Sequence, residues 1–176
     1  SVYQYTLSTA WDVSTTSYAN KSINVSSQDT NPAGLVLSPD GTKVYICGYH
    51  SKTIFQYNLS TAWDLSTSSY SNNSLSLAND FNYSLNSISI NPTGTKIYIS
   101  NDAGYTLNNM VAEYNLPSDG DISNSTHVTN HDFTGLVFTQ NVLVGSTKLS
   151  GIAFSSAGDK FYSVGNVVTD AIGGTE

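Results

Sequence analysis

The fold is decided by two stretches of the sequence that occur more than once. The letters YQYTLSTAWD at residues 3–12 return 52 residues later as FQYNLSTAWD at residues 55–64. The letters LSPDGTKVYI at residues 37–46 return 53 residues later as INPTGTKIYI at residues 90–99, and a third copy reads FSSAGDKFYS at residues 154–163. Self-similarity at a fixed period of this size is typical of repeat architectures, so the sequence predicts a tandem repeat.

One repeat unit contains four segments that are typical of short strands. Gly34–Leu37 is a short apolar run, and Lys43–Cys47 contains the Val, Tyr and Ile residues that are favoured in a pleated sheet. Thr53–Leu59 alternates between two sets of side chains, which is the period-two pattern of a half-buried strand. Ser74–Leu77 is a weaker fourth candidate. No segment has a 3.6-residue apolar stripe with helix caps, so we expect almost no helix.

The link between the first two strands of each unit has the composition of a tight turn. Proline presets φ for the second position of a turn, aspartate bonds nearby backbone N–H groups, and glycine accepts the positive φ that closes the turn. The predicted turn residues are Pro39, Asp40 and Gly41 in the first copy, Pro92 and Gly94 in the second, and Gly158 in the third.

Four short antiparallel strands in about 52 residues predict the blade of a β-propeller. The expected fold class is therefore all-β, with about three blades of four antiparallel strands. The predicted organisation is a partial blade at residues 1–33, blades at 34–85 and 86–148, and a partial blade at 149–176. The third copy of the turn follows the second by 64 residues, which predicts an insertion of roughly ten residues at about 119–147.

About three blades do not close a ring by themselves, since closed propellers typically have about 4–8 blades. An open array would leave strand edges exposed to aggregation. Three arrangements remain open: the blades belong to a longer chain, they complete a ring by self-association, or they stack as an open solenoid or along a fibre. We expect a larger or oligomeric ring, with further blades of the same chain or other copies of it as partners.

The repeated motifs carry a resemblance to known families. The pattern Gly-x-x-x-Ser-Pro-Asp-Gly-Thr-Lys-Val-Tyr-Ile of residues 34–46 resembles the blade-opening hairpin of YVTN-type, lactonase-like β-propeller repeats. The pattern Tyr-x-Leu-Ser-Thr-Ala-Trp-Asp of residues 5–12 resembles tandem repeats of secreted bacterial proteins and of phage tail or fibre proteins. The resemblance covers about two-thirds of the chain, from Val2 to Leu116. The resemblance implies the repeat architecture. Lactonase-like relatives place their catalytic or metal-binding residues on different blades, facing a central channel. No motif in this sequence corresponds to those residues.

The Trp-Asp dipeptides do not make these units WD40 repeats. The Gly-His partner of that repeat is missing, and the dipeptide follows a strand instead of ending one.

Composition argues against several classes of function. Only 11% of the residues are charged, whereas the chain has 28 Ser, 19 Thr and 18 Asn. The net charge is −7 and Arg is absent, so we expect no nucleic-acid partner, because phosphate neutralisation needs clustered Lys and Arg. No apolar run approaches the length of a membrane span. Cys47 is the single cysteine, which excludes an intrachain disulfide and leaves a structural zinc site short of ligands.

The residues that often carry catalysis or metal binding either recur with the repeat or lack partners. Asp12 and Asp64 occupy equivalent positions, so we interpret them as turn-capping residues. The sequence Asp119-Gly120-Asp121 resembles part of a calcium-binding loop. It lacks the third ligand and the distal Glu of an EF-hand-type loop, which favours a solvated turn. His127 and His131 share a face of a strand, yet no third metal ligand is in view. We therefore predict no catalytic residue, no metal site and no cofactor.

Two Trp-Tyr pairs are the candidate ligand-binding residues. Trp11 and Tyr18 in the first copy, and Trp63 and Tyr70 in the second, lie in polar segments rich in Ser, Thr and Asn. Aromatic rings in such surroundings can stack on the apolar faces of sugars. The alternative is that each Trp covers the outer edge of its own blade, which the repetition favours.

These observations predict a non-enzymatic, extracellular β-propeller module at a cell or virion surface. Its role is structural or binding, as in an adhesin or a fibre, with a surface glycan or a protein as ligand. The alternative is a fragment of a lactonase-like or quinoprotein-like propeller enzyme whose active site lies on other blades.

Overall fold

The computed structural model describes residues 1–81, 84–101, 110–132 and 146–168. The described residues form twelve strands: β1 (Val2–Leu7), β2 (Thr16–Ile23), β3 (Pro32–Leu37), β4 (Lys43–Gly48), β5 (Thr53–Leu59), β6 (Ser68–Ser76), β7 (Leu85–Ile90), β8 (Lys96–Asn101), β9 (Met110–Asn115), β10 (Thr126–Asp132), β11 (Ser146–Phe154) and β12 (Phe161–Val168). Three short 3₁₀ turns, at Val13–Thr15, Leu65–Thr67 and Ile122–Asn124, each precede the last strand of a hairpin.

The strands pair into two complete sheets and two half sheets, all antiparallel. The first full sheet has the order β3-β4-β5-β6, and the second full sheet has the order β10-β9-β8-β7. The N-terminal hairpin (β1-β2) is equivalent in the repeat to the outer half of a full sheet, and the C-terminal hairpin (β11-β12) to the inner half. The predicted all-β fold with sheets of four antiparallel strands is confirmed. No closed ring is formed among the described residues.

The sheets stack face to face, with β7 lying between β3 and β11. The sequence of β4 is a continuous apolar run because both faces of this strand are buried. Tyr45 and Cys47 enter the hydrophobic cluster shared with the second full sheet. Val44 and Ile46 point to the opposite face, into the cluster shared with the N-terminal hairpin. Successive side chains of a strand point to opposite faces of its sheet. A strand whose sheet is covered by other sheets on both faces is therefore apolar at every position.

Strand β6 is longer than the weak fourth strand predicted at Ser74–Leu77. It begins at Ser68 and ends at Ser76, and it pairs with β5 through a bulge. Asn72 has a φ of +65° at this bulge, a conformation that Asn tolerates better than most residues. A Ser- and Asn-rich segment thus stays in the sheet because its backbone hydrogen-bonds to β5, a contact that side-chain periodicity does not reveal.

The three predicted turns between the inner strands contain glycines in the left-handed region. Gly41 and Gly94 both have a φ of +70°, and Gly158 has a φ of +74°. Asp40 accepts hydrogen bonds from the Ser38 hydroxyl at 2.6 Å and from the Thr42 N–H at 3.0 Å. These bonds, that from Ser38 foremost, lower the pKa of Asp40 to about 2.

The structure describes only part of the segment, about 119–147, where an insertion is predicted. Residues 122–132 form a 3₁₀ turn and β10, as in the preceding unit, whereas residues 133–145 lie outside the described residues. The position of the insertion and the boundaries of the blades stay predictions.

Replacing Gly41 with Ala is expected to destabilise the chain more than replacing Gly94 with Ala. Both positions have the same positive φ, which costs a residue with a side chain roughly 1–3 kcal/mol. A Cβ at Gly41 would also overlap the Trp63 ring, whereas a Cβ at Gly94 would lie 3.2 Å from Pro39 Cδ. Urea denaturation monitored by circular dichroism gives the two midpoints. Equal losses for the two variants would contradict the packing of Trp63 on Gly41.

Candidate functional site

An aspartate caps each of the three 3₁₀ turns, and we call each unit of cap and turn an Asp-capped turn. Asp12, Asp64 and Asp121 accept a hydrogen bond from the backbone N–H two residues later, at 3.0, 3.0 and 2.9 Å. The turn-capping role predicted for Asp12 and Asp64 is confirmed. Asp121, which the sequence placed in a solvated turn, is the third member of the series.

The residue before each cap has a left-handed backbone. Trp11 has a φ of +67°, Trp63 of +62° and Gly120 of +70°. This position is uncommon for non-glycine residues and is strained unless the surroundings enforce it. The glycine in the third copy is therefore the unstrained equivalent of the two tryptophans. The signal for this equivalence was the spacing, because Asp121 follows Leu116 by five residues, as Asp64 follows Leu59.

Two glutamines join neighbouring units by holding the Asp-capped turn of the next unit. Gln4 of β1 donates from Nε2 to the carbonyl oxygen of Trp63 at 3.0 Å and accepts from the Leu65 N–H at 2.9 Å. Gln56 of β5, the equivalent residue, accepts from the Ile122 N–H at 2.9 Å. We call this contact the interlock. It satisfies the backbone N–H of the first residue of each 3₁₀ turn, whose side chain is buried and whose N–H would otherwise lack a partner.

Further contacts strengthen each interlock. Lys21 of β2 pairs with Asp64 of the following unit at 2.7 Å. This contact and the Ser66 hydroxyl lower the pKa of Asp64 to about 2. At the next junction the Tyr45 hydroxyl donates to the carbonyl oxygen of Gly120 at 2.7 Å. The outer loops of successive units are thereby fixed relative to one another.

Replacing Asp64 with Asn is expected to destabilise the chain at pH 7 more than replacing Asp12 with Asn. Both variants lose a carboxylate cap, but only Asp64 also pairs with Lys21. A lowered folded-state pKa stabilises the fold above the unfolded pKa of about 3.9, and this stabilisation is lost as the pH falls toward about 2. Urea denaturation at both ends of this range measures the difference. A difference between the variants that does not shrink at low pH would contradict the ion pair.

The structure places the predicted aromatic residues in unequal surroundings. Trp11 is 96% exposed, whereas Trp63 is 55% exposed and packs over Gly41. Tyr18 packs against Tyr3 and Tyr5 of the neighbouring strand, with ring centroids 6.1 and 5.6 Å apart. Tyr70 makes the equivalent contacts with Phe55 and Tyr57 at 6.4 and 5.4 Å. Ligand binding by the four residues stays a prediction.

Trp63 lines a mostly apolar cleft of about 350 Å³ between β1 and the inner strands of the first full sheet. Tyr3, Tyr5 and Leu35 line this cleft and also an adjoining one of about 450 Å³. Trp11, Tyr18 and Tyr70 do not line either cleft. The clefts lie on the open face of β3 and β4, where the N-terminal hairpin covers only part of the sheet.

His127, His131 and Cys47 do not line either cleft. His131 donates from Nε2 to Glu113 at 2.9 Å, and Lys96 pairs with the same carboxylate. The hydrogen bonds from these two side chains, that from Lys96 foremost, lower the pKa of Glu113. His127 bonds Asn130 at 2.9 Å. Within residues 1–81, 84–101, 110–132 and 146–168, no three His, Cys, Asp or Glu side chains are grouped to hold a metal ion.

The Cys47 thiol is expected to be unreactive in the folded chain. Burial in the cluster between the two full sheets raises its pKa to about 12, and the thiolate is the reactive form. A chromogenic disulfide reagent should therefore leave the native thiol intact at about pH 8 and titrate it fully in denaturant. Rapid reaction of the native chain would contradict the packing of β4 against the second full sheet.

In the described part of the chain, no helix has the length and apolarity needed to cross a membrane.

Comparison with known proteins supports the fold. No family model and no curated protein matches this chain. Among solved structures, the chain is similar to a protein from Lactobacillus plantarum, a lactonase-like β-propeller protein, with a TM-score of 0.57 and 14% sequence identity. The match covers 77% of this chain and 35% of that one, so the chain spans about a third of its length. At this identity the likeness shows the fold alone: the chain has a β-propeller-like architecture.

Proposed function

We propose that this chain is a non-enzymatic structural module of an extracellular propeller, displayed at a cell or virion surface. Its role is to supply blades that lock onto neighbouring blades and to present the loops between the outer strands to a glycan or protein ligand. The observation that carries the proposal is the interlock, in which Gln4 and Gln56 hold the Asp-capped turns of the units that follow.

The contacts between units support a structural role. The carboxylate, amide and aromatic side chains that a binding or catalytic site would use are already engaged in contacts that hold the sheets together. Asp64 caps a turn and pairs with Lys21, and Trp63 packs over Gly41. Asp121 and Gln56 fix the next junction. These polar side chains thus join successive units, and the Trp63 ring joins the two halves of one sheet. Low charge and abundant Ser, Thr and Asn support a surface location.

The second candidate is a fragment of a lactonase-like or quinoprotein-like propeller enzyme. The likeness to a lactonase-like β-propeller protein favours this alternative. Its active site would lie on blades other than those described, so assaying this chain alone does not separate the two proposals.

The separating experiment uses the native protein in the cells or virus particles that produce it. Antibodies against the 176-residue chain are used to follow the protein during protease treatment of intact particles, and then to purify it. The purified protein is assayed for hydrolysis of a γ-lactone and a δ-lactone, with and without a divalent cation. We expect protease to remove the surface signal and the purified protein to show no hydrolysis above the blank. A protected protein, or hydrolysis that the antibodies deplete, would overturn the proposal.

A further inference from the structure

A pocket of about 160 Å³ lies at the junction of the two full sheets, next to the third Asp-capped turn. The first full sheet lines it with Pro39 and Asp40, from the turn between β3 and β4, and with Lys43 at the start of β4. The second full sheet lines it with Gly94, from its own inner turn, and with residues 118–120, from the loop between β9 and β10. Both sheets have four strands, so the pocket is formed by two neighbouring units of the repeat.

The pocket is open because the second full sheet lacks a ring that the first full sheet has. In the first full sheet, the Trp63 ring packs over Gly41. The equivalent residues in the second full sheet are Gly120 and Gly94, and no aromatic atom of the described residues lies within 4 Å of a Cβ built at Gly94. A side chain at position 120 has no room, since its Cβ would lie 2.8 Å from the Tyr45 hydroxyl oxygen. The second full sheet therefore has a pocket where the first has a ring.

Three charged side chains around the pocket keep hydrogen-bonding capacity that the fold does not use. Among the described residues, Asp119 accepts one hydrogen bond, from the Asp121 N–H to its Oδ1 at 3.1 Å, which leaves Oδ2 available. Asp40 accepts three hydrogen bonds from its own turn, and a carboxylate has about four acceptor sites. The ammonium group of Lys43 makes no hydrogen bond or ion pair with the described residues. Asp119 also departs from the repeat, since the equivalent residue of the preceding unit is Ala62.

These charged groups define the chemistry of the ligand. A carboxylate only accepts hydrogen bonds and an ammonium group only donates them, whereas a hydroxyl does both. Adjacent hydroxyls of one ligand can therefore donate to Asp40 and Asp119 and accept from Lys43. The two carboxylates outnumber the one ammonium group, so the pocket repels an anionic ligand.

The size and the walls of the pocket indicate a single saturated ring. A cavity of about 150 Å³ accommodates one six-membered ring, and this pocket has a volume of about 160 Å³. Pro39 and Gly94 are neighbours across the junction, because a Cβ built at Gly94 would lie 3.2 Å from Pro39 Cδ. They form an apolar part of the wall, against which the C–H groups of a sugar ring can pack. Asp40, Lys43 and Asp119 form a polar part, which suits the hydroxyl groups of the same ring.

We propose that this pocket binds one uncharged pyranose ring, so that the ligand of the proposed function is a neutral glycan. The inference rests on the proposed function and names its ligand class and its site. Asp119 Oδ2 accepts from one sugar hydroxyl, Lys43 Nζ donates to a neighbouring hydroxyl, and the ring lies over Gly94.

Contacts between the two sheets hold the walls of the pocket in place. The Tyr45 hydroxyl donates to the Gly120 carbonyl oxygen at 2.7 Å. Burial foremost raises the pKa of Tyr45, so this hydroxyl remains a donor. The interlock adds the hydrogen bond from the Ile122 N–H to Gln56. A site that is formed before its ligand arrives loses less conformational entropy on binding.

Amide NMR of the isotope-labelled 176-residue chain tests the proposal. The probes are the methyl glycosides of glucose, mannose and galactose, with methyl glucuronide as the anionic control. We expect at least one neutral glycoside to shift the amides of Gly94 and Gly120 saturably and in the millimolar range, because a single sugar ring offers few contacts. Methyl glucuronide should bind about tenfold more weakly or worse. No saturable shift with any neutral glycoside, shifts centred on Trp63 instead, or equal binding of the glucuronide would overturn the proposal.

Two variants and a matched control test the individual contacts. Asp119→Ala introduces the residue that the preceding unit has at this position, so the turn should tolerate it. Lys43→Met removes the ammonium group and keeps an unbranched side chain. Lys160→Met makes the same change at the equivalent position of the C-terminal hairpin, which does not line the pocket. We expect the two pocket variants to weaken glycoside binding by about tenfold or more, and Lys160→Met to leave it unchanged.

The spectra that report binding also show whether each variant is folded. Unchanged affinity in either folded pocket variant, or equal losses for Lys43→Met and Lys160→Met, would overturn the proposal. A chain that binds none of the glycosides, although the native protein is displayed at the surface and hydrolyses no lactone, contradicts this inference alone. Lactone hydrolysis by the native protein contradicts the proposed function, whatever the glycoside titration shows.

Discussion

The hydrogen bond between a strand glutamine and the next unit's Asp-capped turn is the constraint on which the arrangement of units depends. A 3₁₀ turn leaves backbone N–H groups without partners at its start, and burying one of them unpaired costs about 1–3 kcal/mol. Gln56 is buried and accepts from the Ile122 N–H, so the turn can bury the Ile122 side chain against the preceding unit. Gln4 and Leu65 repeat the arrangement one unit earlier. At these two junctions the interlock therefore provides a partner for a turn N–H and allows an apolar side chain of the same turn to be buried.

A second contact, within a single sheet, accounts for a residue whose backbone conformation is unfavourable locally. Trp63 adopts a positive φ that a glycine would adopt without strain, as Gly120 does in the third turn. Its ring, however, covers Gly41, whose own positive φ closes the turn between β3 and β4. The strain at Trp63 is offset by a contact between the inner and outer halves of one sheet. Such a contact helps to hold four strands as one blade.

Much of the fold could be predicted from the sequence, because its determinants are local. The turn glycines and the apolar run of Lys43–Cys47 lie within a few residues of the features that they determine. The alternation in Thr53–Leu59 is also local and predicted a strand. The 52-residue period then extended the prediction from one unit to the next. The extent of β6 was missed, since Ser68–Ser76 is held by backbone pairing and by the bulge at Asn72.

The candidate site was harder to predict because its determinants lie in neighbouring units. Trp11 and Trp63 occur in nearly identical sequences, yet one ring is exposed and the other covers a glycine. The recurrence of Gln4 and Gln56 at one strand position was a signal for the interlock, but it does not reveal the partner. The third Asp-capped turn, at Asp121, was obscured because glycine replaces tryptophan before the cap.

Amide hydrogen exchange at the three Asp-capped turns tests the interlock most directly. In a dilute, monomeric sample, the N–H groups of Leu65 and Ile122 bond glutamine side chains, whereas that of Val13 belongs to an exposed turn. We predict that the Leu65 and Ile122 amides exchange only through large-scale opening of the sheets, and that the Val13 amide exchanges much faster. Exchange of Leu65 and Ile122 as fast as that of Val13 would contradict the account.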